Sequence, residues 1–343
     1  MTTTRSVFAK RLFVGFFALM LVNLVLLPAR AATPPTCHGD NVLDMLAEER
    51  PDAFARITAK AAATPNAQAL LWKIEKDGVA PSYLLGTMHV TDERITELPA
   101  ETQTLLDQAK TLAVEIKDLT PANAAAAMSK LGPLLVVTPE TRFDDLLTAE
   151  EKQQLIEGLA KAGVPEVAAM NLQPWLTATL LSVSACEAAR ESAGLPPLDM
   201  KIEASAEAKG IPVVGLETVE EQFRSMAGIA RDAQIANLKL ALKWRNQVED
   251  FNETLISVYL QRRIAEMFPL IEELIGDPAL ARLALDDFQT RLIKERNVRM
   301  RDRMLPLLGK GGAFVAVGAL HLIDRDGLVE LLRTAGYKLR PVN

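Results

Sequence analysis

Short apolar runs stand at the beginning, the middle and the end of this chain, and long helical stretches keep them apart. Residues 69–75 and 82–85 read as strands around an Asp77-Gly78 turn, a hairpin signal. Residues 111–116, 211–215, 313–317 and 337–342 read as four more strands. The spans between these later strands are too long for tight turns, carry helical spacing, and break at Gly163-Val-Pro165 and Gly194-Leu-Pro196-Pro197. The alternation predicts an α/β fold, a small mixed sheet joined by helical crossovers with a large helical insertion. No linker or compositional shift divides residues 69–343, which read as one domain. Residues 32–68, rich in Ala, Thr and Pro, read as an N-terminal arm with one short helix around 41–46.

The first 31 residues have a different character. Arg5, Lys10 and Arg11 precede an apolar run over residues 12–27 and the exit Pro28-Ala29-Arg30-Ala31. A basic start, an apolar middle and an Ala-x-Ala exit mark a signal peptide over residues 1–31, cut after Ala31. The expected location is periplasmic or secreted, with an uncleaved inner-membrane anchor as the alternative. Removing these residues takes away four bases and no acids, so the net charge goes from −6 to −10. An acidic chain repels phosphate backbones, which argues against nucleic acid as a partner. No second apolar run is long enough to span a bilayer. The two cysteines, Cys37 and Cys186, lack CxxC spacing. In an oxidising compartment they are expected to form a disulfide that pins the arm to a mid-chain helix, rather than remain two buried thiols.

Two of the three histidines share one setting. Tyr83-Leu-Leu-Gly86-Thr-Met-His89 follows an apolar strand, and so does Phe314-Val-Ala-Val-Gly318-Ala-Leu-His321. Each reads strand, Gly, two residues, His. A glycine at a strand end permits a tight turn or a close approach, and open α/β sheets build their sites at the carboxyl ends of strands. Imidazole is both a metal ligand and an acid–base group. His89 and His321 are therefore expected to meet at one site, while His38 reads as incidental. Glu115 ends an apolar strand, where an unpaired acid is costly, and is expected to be paired or coordinated. Glu217 lies just beyond the strand at 211–215 and precedes a Thr218/Glu221 capping box that accounts for Glu220 and Glu221. Asp199 and Glu203 lie one helical turn apart and could face the site or solvent; they are read as a solvated face rather than as site residues. Of Arg296, Arg299 and Arg303, only Arg296 is assigned to the site, as a holder of a substrate carboxylate. HExxH, GxSxG, Walker and dinucleotide signatures are all lacking.

The sequence resembles the TraB/GumN family, related to the animal Tiki proteins. The likeness rests on Pro81-Ser-Tyr-Leu-Leu-Gly86-Thr-Met-His89, Leu112-Ala-Val-Glu115, Pro212-Val-Val-Gly215-Leu-Glu217-Thr-Val-Glu220-Glu-Gln222, Glu295-Arg296-Asn297 with Met300, and Phe314–His321. Leu331-Leu-Arg-Thr-Ala-Gly336-Tyr337 and Cys37-x-Gly39 with Leu43 add to it. The resemblance implies a mixed sheet in two halves, each bearing a GxxH. It implies a divalent metal (manganese, cobalt or zinc) held by His89 and His321, with Glu115 and Glu217 as ligand or general base. The activity implied is metal-dependent proteolysis on a peptide or small-molecule substrate. A non-catalytic binder of a peptide, signal or haem-like ligand in the same pocket is the alternative.

Overall fold

The computed structural model describes residues 34–117 and 121–342. The signal-like segment 1–31 lies outside the described residues. Among these, six strands form one mixed sheet: β1 (Leu71–Lys76), β2 (Val79–Thr87), β3 (Thr111–Ile116), β4 (Val213–Glu217), β5 (Ala313–Gly318) and β6 (Lys338–Pro341). Their order across the sheet is β4-β3-β5-β2-β1-β6.

The β1–β2 hairpin is antiparallel and turns at Gly78, whose φ of 76° suits glycine. β2, β5, β3 and β4 are mutually parallel, so their carboxyl ends share one edge of the sheet. β5 lies between β2 and β3. Its residues Phe314 to Val317 are 0–1% exposed, the continuous apolar run of a strand covered on both faces. The register pairs Gly86 with Val317 and Thr87 with Gly318, which sets the two GxxH segments side by side.

Two expectations shift. β4 begins at Val213 rather than 211, because Pro212 has no N–H to give the ladder; its carbonyl accepts from Leu112 instead. The strand also runs past 215, and Glu217, paired with Ile116, is its last residue. The arm carries two helices, Val42–Glu49 and Pro51–Ala62, where one was expected. Asn41 caps the first by accepting from Leu43 N–H, and Pro51 at the first helical turn starts the second. Leu43, Leu46 and Ile57 from these helices join the core built on the sheet.

The helical insertion between β3 and β4 has its own small cores. One gathers Leu131, Trp175, Phe223, Met226, Phe288 and Leu292; another gathers Phe143, Leu155, Leu159, Leu181 and Leu238. The insertion thus packs on later helices, chiefly Val219–Ala227 and Arg231–Trp244, and leaves a seam between its core and that of the sheet. Cys37 and Cys186 form a disulfide, which ties the arm to the helix Ala185–Ser192.

Candidate metal centre at the parallel strand ends

Four strand ends deliver the expected residues to one edge. β2 leads to His89, β5 leads through the short turn Ala319–His321 to His321, β3 carries Glu115, and β4 ends on Glu217. The helix Glu295–Lys310 crosses this edge and is preceded by one π-helical stretch, Thr290–Lys294.

Three of these side chains gather around Gly318. A methyl group on its α-carbon would lie 3.1 Å from Glu115 Oε1, 3.5 Å from His321 Cδ2 and 3.7 Å from His89 Nε2. Glycine is needed here because the site closes on the bare α-carbon, and the backbone is in an ordinary conformation with φ of −52°. Gly318 N–H donates to Glu115 Oε1 at 2.6 Å. Gly86 serves packing instead: a methyl there would press on Ala319 and Leu322.

Each histidine is oriented from behind. His89 Nδ1 lies 2.6 Å from Asp199 Oδ2, and Thr87 Oγ1 donates to Asp199 Oδ1 at 2.5 Å. The reading of Asp199 as part of a solvated face is thereby corrected; it braces the first histidine. His321 Nδ1 lies 2.7 Å from Asn297 Oδ1, and Asn297 Nδ2 donates to the Asp326 carbonyl. With its Oδ1 facing the ring, Asn297 can only accept, so Nδ1 of His321 carries the proton and Nε2 keeps a lone pair. That lone pair lies 3.7 Å from Glu115 Oε1.

The charge states follow. Burial alone penalises charge on His89, but Asp199 and Glu115 outweigh it and raise its pKa to about 9. Burial and the nearby Arg296 keep His321 neutral, with a pKa of about 3. Burial also opposes ionisation of Glu115, yet Arg296, the two histidines and Gly318 N–H hold it down to about 2. Two acceptor atoms, His321 Nε2 and Glu115 Oε1, therefore face one another in a buried site, where Gly318 N–H already donates to the carboxylate oxygen and the His89 cation lies close by.

Arg296 is the hub on the far side. Its Nη2 contacts Glu115 Oε2 and Glu217 Oε2, both at 2.7 Å, its Nε donates to Glu217 at 2.8 Å, and its Nη1 donates to the Leu292 carbonyl. Gln222 also donates to Glu115 Oε2. All three guanidinium nitrogens are engaged, so the role of holding a substrate carboxylate is replaced by an internal one. Arg299 takes Glu217 Oε1 at 2.5 Å, and Arg303 donates to the Leu216 carbonyl and to Glu221. Both were expected to be solvated; both brace the end of β4. Glu217 has no exposed side-chain surface and both oxygens are bound by arginines, so it is an anchor for Arg296 rather than a ligand or base. The Thr218/Glu221 capping box is present as expected.

The donor set fits a divalent ion of borderline hardness: two imidazoles fixed through Nδ1 by acceptors, and one carboxylate. The 3.7 Å between His321 Nε2 and Glu115 Oε1 matches the ~3–4 Å between two ligands of one ion. Among the described residues, no group of three or more His, Cys, Asp or Glu side chains is already spaced to hold a metal ion. His89, Glu115, Arg296 and His321 line a cavity of about 130 Å³. Asp199, Asn297 and Gln222 are the working residues that the sequence reading missed; Asn297 and Gln222 stood inside the quoted motifs, but nothing there marked their side chains as partners.

Comparison with known proteins adds three findings. Residues 70–341 match the TraB/PrgY/gumN family. The chain is 25% identical over 311 residues to Metalloprotease TIKI1 of Danio rerio, an alignment covering 78% of this chain and 62% of the relative, so it spans less than two thirds of that protein. No solved structure matches.

Proposed function

We propose, from the premise that this chain belongs to the TraB/PrgY/gumN family, that it is an exported peptidase whose divalent metal is held by His89, His321 and Glu115. The observation that carries the reading is the pair of buried acceptors facing each other, His321 Nε2 and Glu115 Oε1, with His89 Nε2 around the same point. Such a cluster is stabilised by a cation, and the relative's printed name supports both a metal and proteolysis. Export rests on the segment 1–31 of the sequence; among the described residues no helix is long and apolar enough to cross a membrane.

When bound, a divalent ion supplies a polarised carbonyl and a water of lowered pKa. The chain's own groups do the rest. Asp199 and Asn297 hold both imidazoles in one orientation. His89 releases its proton on metal binding, a cost that couples uptake to pH. Arg296 and Gln222 hold Glu115 ionised, which suits it to ligation more than to proton abstraction. A cavity of about 130 Å³ is far below the ~300 Å³ at which pockets for drug-sized ligands begin, which favours a few atoms of a peptide over a haem-like ligand.

The test is metal content by mass spectrometry after dialysis against manganese, cobalt or zinc, with cleavage of a peptide library followed in parallel. One ion per chain is expected in the parent protein, falling to background in His89→Ala and in His321→Ala. Unchanged occupancy in both variants would sink the proposal.

A further inference from the structure

The proposed centre has two unlike sides. His89, Glu115, Arg296 and His321 make a polar floor, and Met88, Met226, Leu255, Ile264, Leu292 and Leu320 make an apolar wall opposite. Met226 and Leu292 also line a second cavity of about 60 Å³, closed by Trp175, Ala178 and Phe288 from the insertion and the helix Pro278–Gln289. The two spaces therefore share two wall side chains, one of them a flexible methionine. The first space lies between the core of the sheet and a core of the insertion, and the second lies within the latter core.

We infer that this side cavity is the specificity pocket of the site and that it takes an aliphatic side chain, of leucine size, from a peptide substrate. The inference rests on the peptidase reading above. Its chemical ground is that all but one of the side-chain donors around the second cavity are already spent, the exception being one N–H of Asn237. Gln234 Nε2 donates to the Ile229 and Ala227 carbonyls, Asn237 Nδ2 to Ala284, Thr179 Oγ1 to Trp175 and Ser182 Oγ to Ala178. A carboxylate entering there would shed water and find at most one amide N–H in return. An aliphatic group loses nothing polar and gains burial. Size sets the upper limit. A cavity of ~150 Å³ takes benzene, and 60 Å³ takes a branched aliphatic tip but not an indole. The wall also explains why the insertion packs here. Trp175 stands edge-on to Phe223 at 5.8 Å and closes the pocket from a helix far in sequence from the strands that carry the site.

The experiment has a kinetic arm and a binding arm, both on the whole mature protein. The kinetic arm compares kcat/KM with manganese for peptides differing at one residue beside the cleaved bond: Gly, Leu, Trp or Glu. Leucine is expected to exceed glycine and glutamate by about 10-fold or more, the worth of a filled apolar pocket. Ala178→Leu, which fills the side cavity, is expected to bring leucine down to the level of glycine while leaving the glycine peptide unchanged. Leu292→Ala, which widens the passage, is expected to shift preference toward tryptophan, and it serves if the first variant does not fold. A flat preference, or a leucine preference that neither variant alters, overturns the pocket while leaving the peptidase reading standing. If no peptide is cleaved, that reading fails, and the binding arm decides the pocket alone. N-acetyl-leucinamide is titrated into metal-free protein and followed by ligand-observed NMR. Binding seen in the parent and abolished by Ala178→Leu supports the pocket, and a parent protein that does not bind the amide overturns it.

Discussion

At the scale of single residues, the two histidines differ because their braces differ. Asp199 is an anion and holds His89 as a cation, whereas Asn297 is neutral and can only fix a tautomer of His321. That difference makes Asn297 the more telling residue to change. Asn297→Ala frees Nδ1, lets the ring turn or exchange its proton, and strands a buried donor. Metal affinity is expected to fall by about 10–100-fold, the usual loss for a residue that orients a ligand. Competition with a chromophoric chelator measures it, and an affinity within about twofold of the parent would contradict the assignment. The histidines, Glu115 and Gly318 were legible in the sequence because each breaks a local expectation: a charged or strand-ending group where an apolar run stops. Asp199 was not. An acid in the first turn of a helix is well explained by the helix dipole alone, and its partner His89 lies in a distant part of the chain. Asn297 pairs across 24 residues and carries no charge to betray it.

At the scale of elements, the helix Glu295–Lys310 does most of the organising. Arg296, Arg299 and Arg303 point toward the end of β4 while Asn297 reaches His321, and the π-helical stretch Thr290–Lys294 immediately precedes these residues. π-bulges recur at functional sites, and no sequence pattern announces one. Arg296→Met is expected to destabilise the protein by about 3–5 kcal/mol, because Glu115 loses its chief counter-charge in a buried site. Arg303→Met, at a half-exposed pair with Glu221, is expected to cost about 0–1 kcal/mol. Urea unfolding of both variants checks the contrast, and equal losses would refute it. The helix Ala185–Ser192 carries a second electrostatic feature. Glu187 and Glu191 stand one turn apart, both buried, each with one side-chain oxygen lacking a partner. Burial and the Glu187 charge raise the pKa of Glu191 to about 7, against a weaker opposing pull from His89. The unfolded chain ionises this acid near pH ~4.3 while the folded chain resists. Stability intact below that pH is therefore lost as pH rises to about 7, by on the order of 3 kcal/mol, and is flat above. Glu191→Gln removes the loss. Its melting temperature relative to the parent is expected to climb from about pH 5 to about pH 8, and a pH-independent difference would show that the acid does not resist ionisation.

At the scale of the whole molecule, the sheet order explains how residues from opposite ends of the chain meet. Inserting β5 between β2 and β3 puts the last GxxH beside the first, and the strand–helix alternation in the sequence is compatible with several such orders. The alternation points to the class, but neighbour choice depends on which apolar faces fit, which is a property of the assembled core. The disulfide, and its fastening of the arm to a mid-chain helix, were readable from the signal-like segment 1–31 and the cysteine count. Near the bridge the arm is also tied by Pro35 carbonyl to Arg190, Asp40 N–H to Asp250, Asn41 to Ser257 and Val42 N–H to Thr254. The bridge closes a loop across 149 positions, so its loss widens the unfolded ensemble at a cost on the order of 2–4 kcal/mol. The proposed metal centre has its own support. Glu187, next to Cys186, accepts from Thr91 N–H and Oγ1 just after His89, and neither hydrogen bond involves the bridge. Cys37→Ser with Cys186→Ser is therefore expected to lower the melting temperature while metal stoichiometry stays at the parent's value below the transition. A variant that keeps its melting temperature, or loses its metal while still folded, would mean that the arm belongs to the site and not only to the scaffold around it.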